Sequence, residues 1–483
     1  MTAQTLAPWH KASFDAFLTD KLPRLLGQRV PLAGYCTEPT STYACRIRIL
    51  LATPAGELAV DLQDVPQPDE DGVFEVEGKR YVVLPLASTE KLGQAEIRCV
   101  GEQLYDVVEQ RLGEAPKDLA WDANLARAWL PIDAWVRAFI QTAQPLDDIN
   151  WLAWHTHLRR LCIPDRKEIF EPSQIGRACP IETPEGTNIG KIVTVAVGAE
   201  IRDGKVVVVD SRPEAALGPA ASMVPFFEHS DTNRLLMGVN IMRQWLRPQR
   251  PEPALVQTGN EPAEPEFWCG RDLLTAFISW GELTHEDGIV ISESAARRMD
   301  QGGRVLEVGD KISNRHGTKG VITRILPDEQ VPHLPDGTPV ELIYSCVGLH
   351  TRLNFGQQRE AVMSRIARAE GKPAIVPPFG APSADQIRQR LRQAGLDDSG
   401  MQRLASGRGG EPLDMPSLAG WVYWGKTYHL AADKIHSTVD RRRANMQGEA
   451  EYLALRAVGA DELALETFNT RATTRPDVEQ LAG

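Results

Sequence analysis

The sequence has no stretch approaching the roughly 20 consecutive apolar residues that a membrane span requires, so no membrane partner is expected. Its opening, MTAQTLAPWHKASFDAF, lacks the apolar core of a secretory signal. The seven cysteines stand apart at 36, 45, 99, 162, 179, 269 and 346, with no C-x-x-C pair. An odd, scattered set argues against a disulfide scaffold and against structural zinc, and fits a reduced, cytoplasmic chain. No G-x-x-x-x-G-K-[ST] spacing can be laid on residues 304–325, so that glycine- and lysine-bearing stretch is not a P-loop. Positive charge is also short overall. A net charge of −12 excludes a free-standing nucleic-acid binder of the usual basic kind.

What is present is ordinary in bulk and unusual in distribution. With 483 residues, 42% hydrophobic and 24% charged, the chain is long enough for roughly two to four globular domains. Positive charge gathers in a few tracts. Arg304–Ile325 carries Arg304, Lys311, Arg315, Lys319 and Arg324 against Glu307 and Asp310. Arg352, Arg359, Arg365 and Arg368 follow, and then Arg441–Arg443. An acidic body with local basic tracts fits a shielded channel, or a subunit whose partner supplies further cations.

The 304–325 stretch reads as two apolar β runs, Val305–Val308 and Val321–Ile325, around a polar loop with Gly309, Gly317 and Gly320. Glycines let backbone approach a ligand closely, and lysine is a point charge on a long stem suited to phosphate. Composition alone favours a solvated hairpin.

Along the rest of the chain, residues 1–35 have helical spacing, and Cys45–Val60 alternates as a strand–turn–strand. Asp69–Gly72 makes a turn before a further hairpin. Residues 100–170 are helical in pattern, and their tryptophans read as core. His155 and His157, two apart, point away from each other on a helix and make no metal pair. Gln174–Lys191 is a rigid turn-rich loop punctuated by Pro180, Pro184, Gly186 and Gly190. Asp231 can cap a helix whose first turn holds Arg234, a cation at the wrong end of a helix unless an anion is near. Glu286 and Asp287 are adjacent carboxylates between a buried segment and the apolar run Gly288–Ser292; by themselves they read as a solvated turn.

Several of these segments, in one order, resemble the β subunit of multisubunit RNA polymerases. Gly72–Val82 is similar to a hairpin of that family's protrusion. Cys179–Gly190 (CPIETPEGTNIG) is close to a family signature beside the RNA–DNA hybrid. Glu228–Gln244, Gly270–Ile289, Arg304–Ile325, Val340–Gln357, Ser406–Pro412 and Gly420–Arg443 match further family segments, and Gly448–Asp461 resembles a late helix. The resemblance implies a mixed α+β multidomain chain, with a double-psi β-barrel core, built from 225–360 and 420–440, beside hybrid-binding and protrusion-like domains. It divides the chain into a reduced protrusion-like domain (1–115), a helical connector (116–170), a fork/hybrid-binding segment (171–224), the barrel and hybrid-binding core (225–445) and an abbreviated C-terminal clamp segment (446–483). The short span from Ser294 to Arg304 leaves no room for the family's flap, so a compact, flap-less form is expected.

The same resemblance implies roles. Lys311, Lys319, Arg234, Arg352, Glu286, Asp287, Lys434 and His436 would lie at the catalytic centre, with Lys434 and His436 alternating on a strand. Gln244, Arg177, Glu185 and Asn188 would contact nucleic acid. Family members hold catalytic Mg2+ on a D-F-D-G-D motif of the other large subunit, and no such motif occurs here. Hence no metal ligand is expected beyond Asp287 lying near the second Mg2+. The implied partners are a β′-like subunit, DNA template, RNA product and NTPs, with an α-like chain or an initiation factor as further candidates. The activity implied is nucleotidyl transfer by a complex in which this chain alone is inactive. A catalytically inactive paralogue acting as a regulator, and an assembly factor using only the fold, are the competing readings.

Overall fold

The computed structural model describes residues 7–114, 121–166, 171–285, 287–434, 455–456, 459–463 and 465. The chain divides into two compact units, Met1–Asp148 with Ala153–Pro219, and Ile149–Leu152 with Ala220–Gly483. Among the described residues no helix is long and apolar enough to cross a membrane.

The first unit is built on a three-stranded antiparallel meander of β1 (Leu32–Ser41), β2 (Ala44–Thr53) and β3 (Gly56–Pro66). Period-two alternation on β2 buries Cys45, Ile47, Ile49 and Leu51 on one face. Phe14, Phe17, Leu22 and Leu25 from the N-terminal helices cover that face, as do Val136 and Ile140 of helix Ile132–Gln141. Trp121 and Trp135 pack at its margin, as a core role requires. The Gly72–Val82 segment forms the expected hairpin, Phe74–Val76 against Lys79–Val82. Helical spacing near the N-terminus extends only to Arg29; the chain then enters β1.

The second unit contains a closed ring of six strands. They are β4 (Arg271–Phe277), β5 (Gly288–Ser292), β6 (Lys311–Asn314), β7 (Lys319–Leu326), β8 (Leu342–Tyr344) and β9 (Ser417–Lys426). Around the ring the order is β4–β8–β5–β7–β6–β9, and β9 pairs back onto β4. The pairs β4–β8 and β5–β7 are parallel and the rest antiparallel. Closure leaves no unpaired edge. Every residue of β4 and β5 is buried, which explains the continuous apolar run of β5. Leu273, Ile289, Ile291, Ile312, Ile322, Val422 and Trp424 fill the interior. Helix Gly356–Glu370 lies against β9 so closely that a Cβ on Gly420 would fall 1.9 Å from the Ala361 carbonyl oxygen.

Two local expectations are corrected. Val305–Val308 is not a strand; the first arm of the hairpin is Lys311–Asn314, so both lysines stand on strands and the turn is Arg315–Thr318. Gly309, with φ +90°, turns the chain before the strand begins, and Ser313 and Asn314 find buried hydrogen-bond partners that make a polar strand tolerable. Lys434 is not on a strand either. β9 stops at Lys426, and Ala431–Lys434 is a helical turn whose first amide, on Ala431, donates to the Asp310 carboxylate at 2.9 Å.

Candidate functional site

The β6–β7 hairpin organises the site. Its register sets Ser313 opposite Lys319 and Lys311 opposite Val321. Directly paired residues share a face, and residues two apart on a strand share a face. Lys311 and Lys319 therefore project from the same face of the hairpin as diagonal neighbours. Both are half-buried.

The turn of this hairpin is pressed against helix Thr232–Met242. A Cβ on Gly317 (φ +80°) would lie 2.1 Å from the Arg234 carbonyl oxygen, and one on Gly238 would lie 2.4 Å from that of Arg315. Only glycine at both positions permits this approach. Asp231 caps the helix, accepting from the Asn233 amide at 3.0 Å, and so holds Arg234 in the first turn beside the hairpin.

On the other side, the Val321 amide donates to the Asp287 carbonyl at 3.0 Å, and a Cβ on Gly320 would stand 2.3 Å from that oxygen. Asp287 thus lies beside the residues that follow Lys319. Its carboxylate is ion-paired with Arg352. Arg352 in turn is tied to the Arg234 helix, because the Asp231 amide donates to the Leu353 carbonyl at 3.1 Å and Ser230 bridges to Asn354. Lys319, Arg234, Asp287 and Arg352 are linked by contacts of neighbouring backbone. Lys311 joins through the segment after β9: its amide donates to the His429 carbonyl at 3.2 Å, and the Tyr428 amide donates to the Gln244 carbonyl at 3.1 Å. Gln244 therefore sits near the outer end of the Lys311 strand. Lys434 closes the helical turn anchored on Asp310, whose carboxylate also meets the buried Lys426 ammonium at 3.2 Å. Glu286 and His436 lie outside the described residues.

Arg177, Glu185 and Asn188 belong to the first unit. The Arg177 guanidinium donates to the Val206 and Ser173 carbonyls at 3.2 and 3.1 Å. Glu185 and Asn188 are exposed on the turn, where the Asn188 carbonyl accepts from the Lys191 amide at 3.0 Å.

Sequence reasoning missed the buried network beneath the hairpin. Arg315, counted there among the loop cations, is 3% exposed. It donates to Glu360 at 2.7 Å and to the Val256 carbonyl at 2.8 Å, and its guanidinium lies 5.2 Å from the Tyr423 ring centroid. His316 meets the second Glu360 oxygen at 2.5 Å. Gln357 accepts from Asn314 and Thr318 at 2.8 and 2.9 Å. Burial by itself would raise the Glu360 pKa, but the charge of Arg315 and the bond to His316 outweigh it and hold the carboxyl down at about 2. The only trace in the sequence is that Gln357 and Glu360 lie three apart on a helix, hence on one face.

Nearby, burial and then the negative charge of Glu360 push the Asp272 carboxyl up from 3.8 to about 8. The folded protein keeps this proton across a range in which the unfolded chain has lost it. Its contribution to stability is present below pH 3.8 and falls away as pH rises towards about 8. Asp272→Asn should flatten the fall of melting temperature over that interval, as thermal melts at a series of pH values would register. Parallel curves for the two proteins would refute it.

Chemically the site brings four cationic residues onto linked segments beside one paired carboxylate. That suits a polyanion and the charge that develops in phosphoryl transfer. Among the described residues no group of three or more His, Cys, Asp or Glu side chains could hold a metal ion, and Asp287 is committed to Arg352.

Comparison with known proteins agrees with the motifs. Residues 299–446 match the family model described as RNA polymerase Rpb2, domain 6, and residues 144–201 match RNA polymerase Rpb2, domain 3. A DNA-directed RNA polymerase subunit beta of Caldicellulosiruptor bescii is 43% identical over 134 residues, which is 28% of this chain and 11% of that protein. Those of Rhodopirellula baltica and Streptococcus mutans are 36% and 35% identical over 184 residues, 35% of this chain and 15% and 16% of theirs. Each alignment thus spans well under a fifth of the relative's own length.

Proposed function

We infer that this chain, a β-like relative of the DNA-directed RNA polymerase β subunit through its domain 3 and domain 6 regions, works as one half of a nucleotidyl-transferring centre. In this reading Lys311 and Lys319 face the RNA 3′ end and the reacting phosphates, Arg234 and Arg352 take the NTP triphosphate, and Glu286, Asp287, Lys434 and His436 complete the surroundings. Gln244, Arg177, Glu185 and Asn188 contact nucleic acid. The closed six-strand ring would be a double-psi barrel, and the chain would be a flap-less form with the five-segment organisation set out above. The observation that carries the reading is the shared face of Lys311 and Lys319, with Arg234 and Arg352 tied to the same hairpin.

The cations stabilise charge, and the partner supplies the metal. Mg2+ would be held mainly by a β′-like subunit, where it activates the 3′ hydroxyl and shields the leaving pyrophosphate. This chain's own residues bind and orient the phosphates. A planar guanidinium spans two phosphate oxygens, while each ammonium acts as a point charge. In a water-excluded cleft such charges are worth far more than in bulk water.

The test is reconstitution. The purified chain should incorporate no labelled NTP alone, and should do so on a DNA template together with a β′-like subunit, encoded beside it or co-purifying with it. Incorporation by the chain alone would defeat the division of labour. A properly assembled complex that remains inert would favour a regulatory role.

A further inference from the structure

The last residue of β8, Tyr344, does more than fill the barrel. Its ring is fully buried, with its centroid 6.5 Å from that of Trp424. Its hydroxyl instead reaches the charged cluster, with Oη 2.6 Å from Arg352 Nη1 and 3.5 Å from Asp287 Oδ1. A phenol both accepts and donates. Arg352 donates to the phenol oxygen, and the phenol O–H donates onward to the carboxylate that is paired with the same guanidinium. The three groups close a small ring in which Tyr344 is the uncharged member.

The mechanical settings of the two partners differ. Arg352 ends the short helix Val347–Arg352 and is followed by Leu353, a half-exposed residue with φ +53°. A long side chain in such a place has many rotamers to lose when it binds. Tyr344 has none to spare. Its backbone is paired on both sides, with Phe277 and with Ile289, and a Cβ on Gly348 would lie only 2.9 Å from the hydroxyl.

We propose that Tyr344 is a positioning residue for phosphate recognition: it aims the Arg352 guanidinium, together with Asp287, so that a phosphate chain meets an already oriented fork. The proposal rests on the reading of this cluster as the triphosphate side of the site, and adds to it a residue that neither motif nor charge pattern singled out.

Binding of inorganic tripolyphosphate to the full chain, measured by calorimetry, tests it directly. Tyr344→Phe keeps the ring and removes only the hydroxyl. It is expected to raise the Kd about tenfold, as loss of one charge-assisted hydrogen bond would, while Arg352→Ala sets the limit for the whole site. A purely structural role would lower the melting temperature and leave the Kd alone. Unchanged or tighter binding by the variant overturns the proposal, and so does failure of the unaltered chain to bind tripolyphosphate. In the reconstituted complex the loss should fall on KM for NTP more than on kcat. An inert complex whose chain still shows the tenfold effect defeats the polymerase reading and leaves the proposal standing; an active complex with unchanged KM does the reverse.

Discussion

Replacing Lys311 and Lys319 together by alanine should lower RNA synthesis by the reconstituted complex about a hundredfold or more, the scale on which a single aimed donor acts in a dry site. The argument is geometric before it is electrostatic. The β6–β7 register sets the two ammonium groups on one face, as diagonal neighbours. Two like charges held that close repel unless a shared anion lies between them. In the proposed function that shared anion is a phosphate chain. Each single variant should lose part of the activity. The double variant should lose less than the product of the two, because residues acting on one group behave as a unit. Neither lysine is deeply buried, so the double variant should melt near the unaltered temperature. Replacing Lys205, exposed at the start of a strand in the first unit, is the control for charge alone. Full activity of the double variant would move the chain to the regulatory or assembly readings.

Removing the Glu360 carboxylate should cost most in stability. Its oxygens meet Arg315 at 2.7 Å and His316 at 2.5 Å, and one of them also accepts the Tyr423 amide at 3.0 Å. Glu360→Ala leaves the buried Arg315 charge without its ion-pair partner, which costs about 3–5 kcal/mol. At roughly 2–4 °C per kcal/mol for a unit of this size, the melting temperature should fall by about 10 °C. Arg315→Met combined with Glu360→Leu should cost less than Glu360→Leu alone, since no unpaired charge then remains. Acid should act in the same way. The carboxyl is held near 2 in the fold and lies near 4.5 in the unfolded chain, so its contribution is complete above pH 4.5 and is lost as pH falls towards 2. Calorimetric melts of the single and double variants check both statements. Equal losses for Glu360→Leu with and without Arg315→Met would refute the account.

The two experiments separate surface from support. Lys311 and Lys319 share one face of the hairpin and are half-buried. Arg315, between them in sequence, faces inward and pins the turn to helix Gly356–Glu370. Three cations within nine positions look alike as charge, yet the fold buries one and leaves the other two half-exposed.

That contrast marks how far the residues could be read. Motif order alone pointed to the likeness to RNA polymerase β subunits, because CPIETPEGTNIG combines glycines and prolines with charges, and the 304–325 stretch and the segment at Val340–Gln357 combine glycines with charges, at fixed intervals. Local pattern was also sufficient for the cap at Asp231, for β5 with its unbroken apolar run, and for the β2–β3 meander. These features depend on neighbours in the chain, and neighbours are what a sequence displays. The strand boundaries near Gly309 and Lys426 were misjudged, because partners far along the chain set them. Gln357 and Trp245 satisfy the polar strand β6, and Asp310 draws residues 431–434 into a helical turn. The inward turn of Arg315, the proton kept by Asp272 and the hold of Tyr344 on Arg352 likewise arise only when segments tens of residues apart come together. Burial, and the charges that burial brings face to face, exist only in the folded chain.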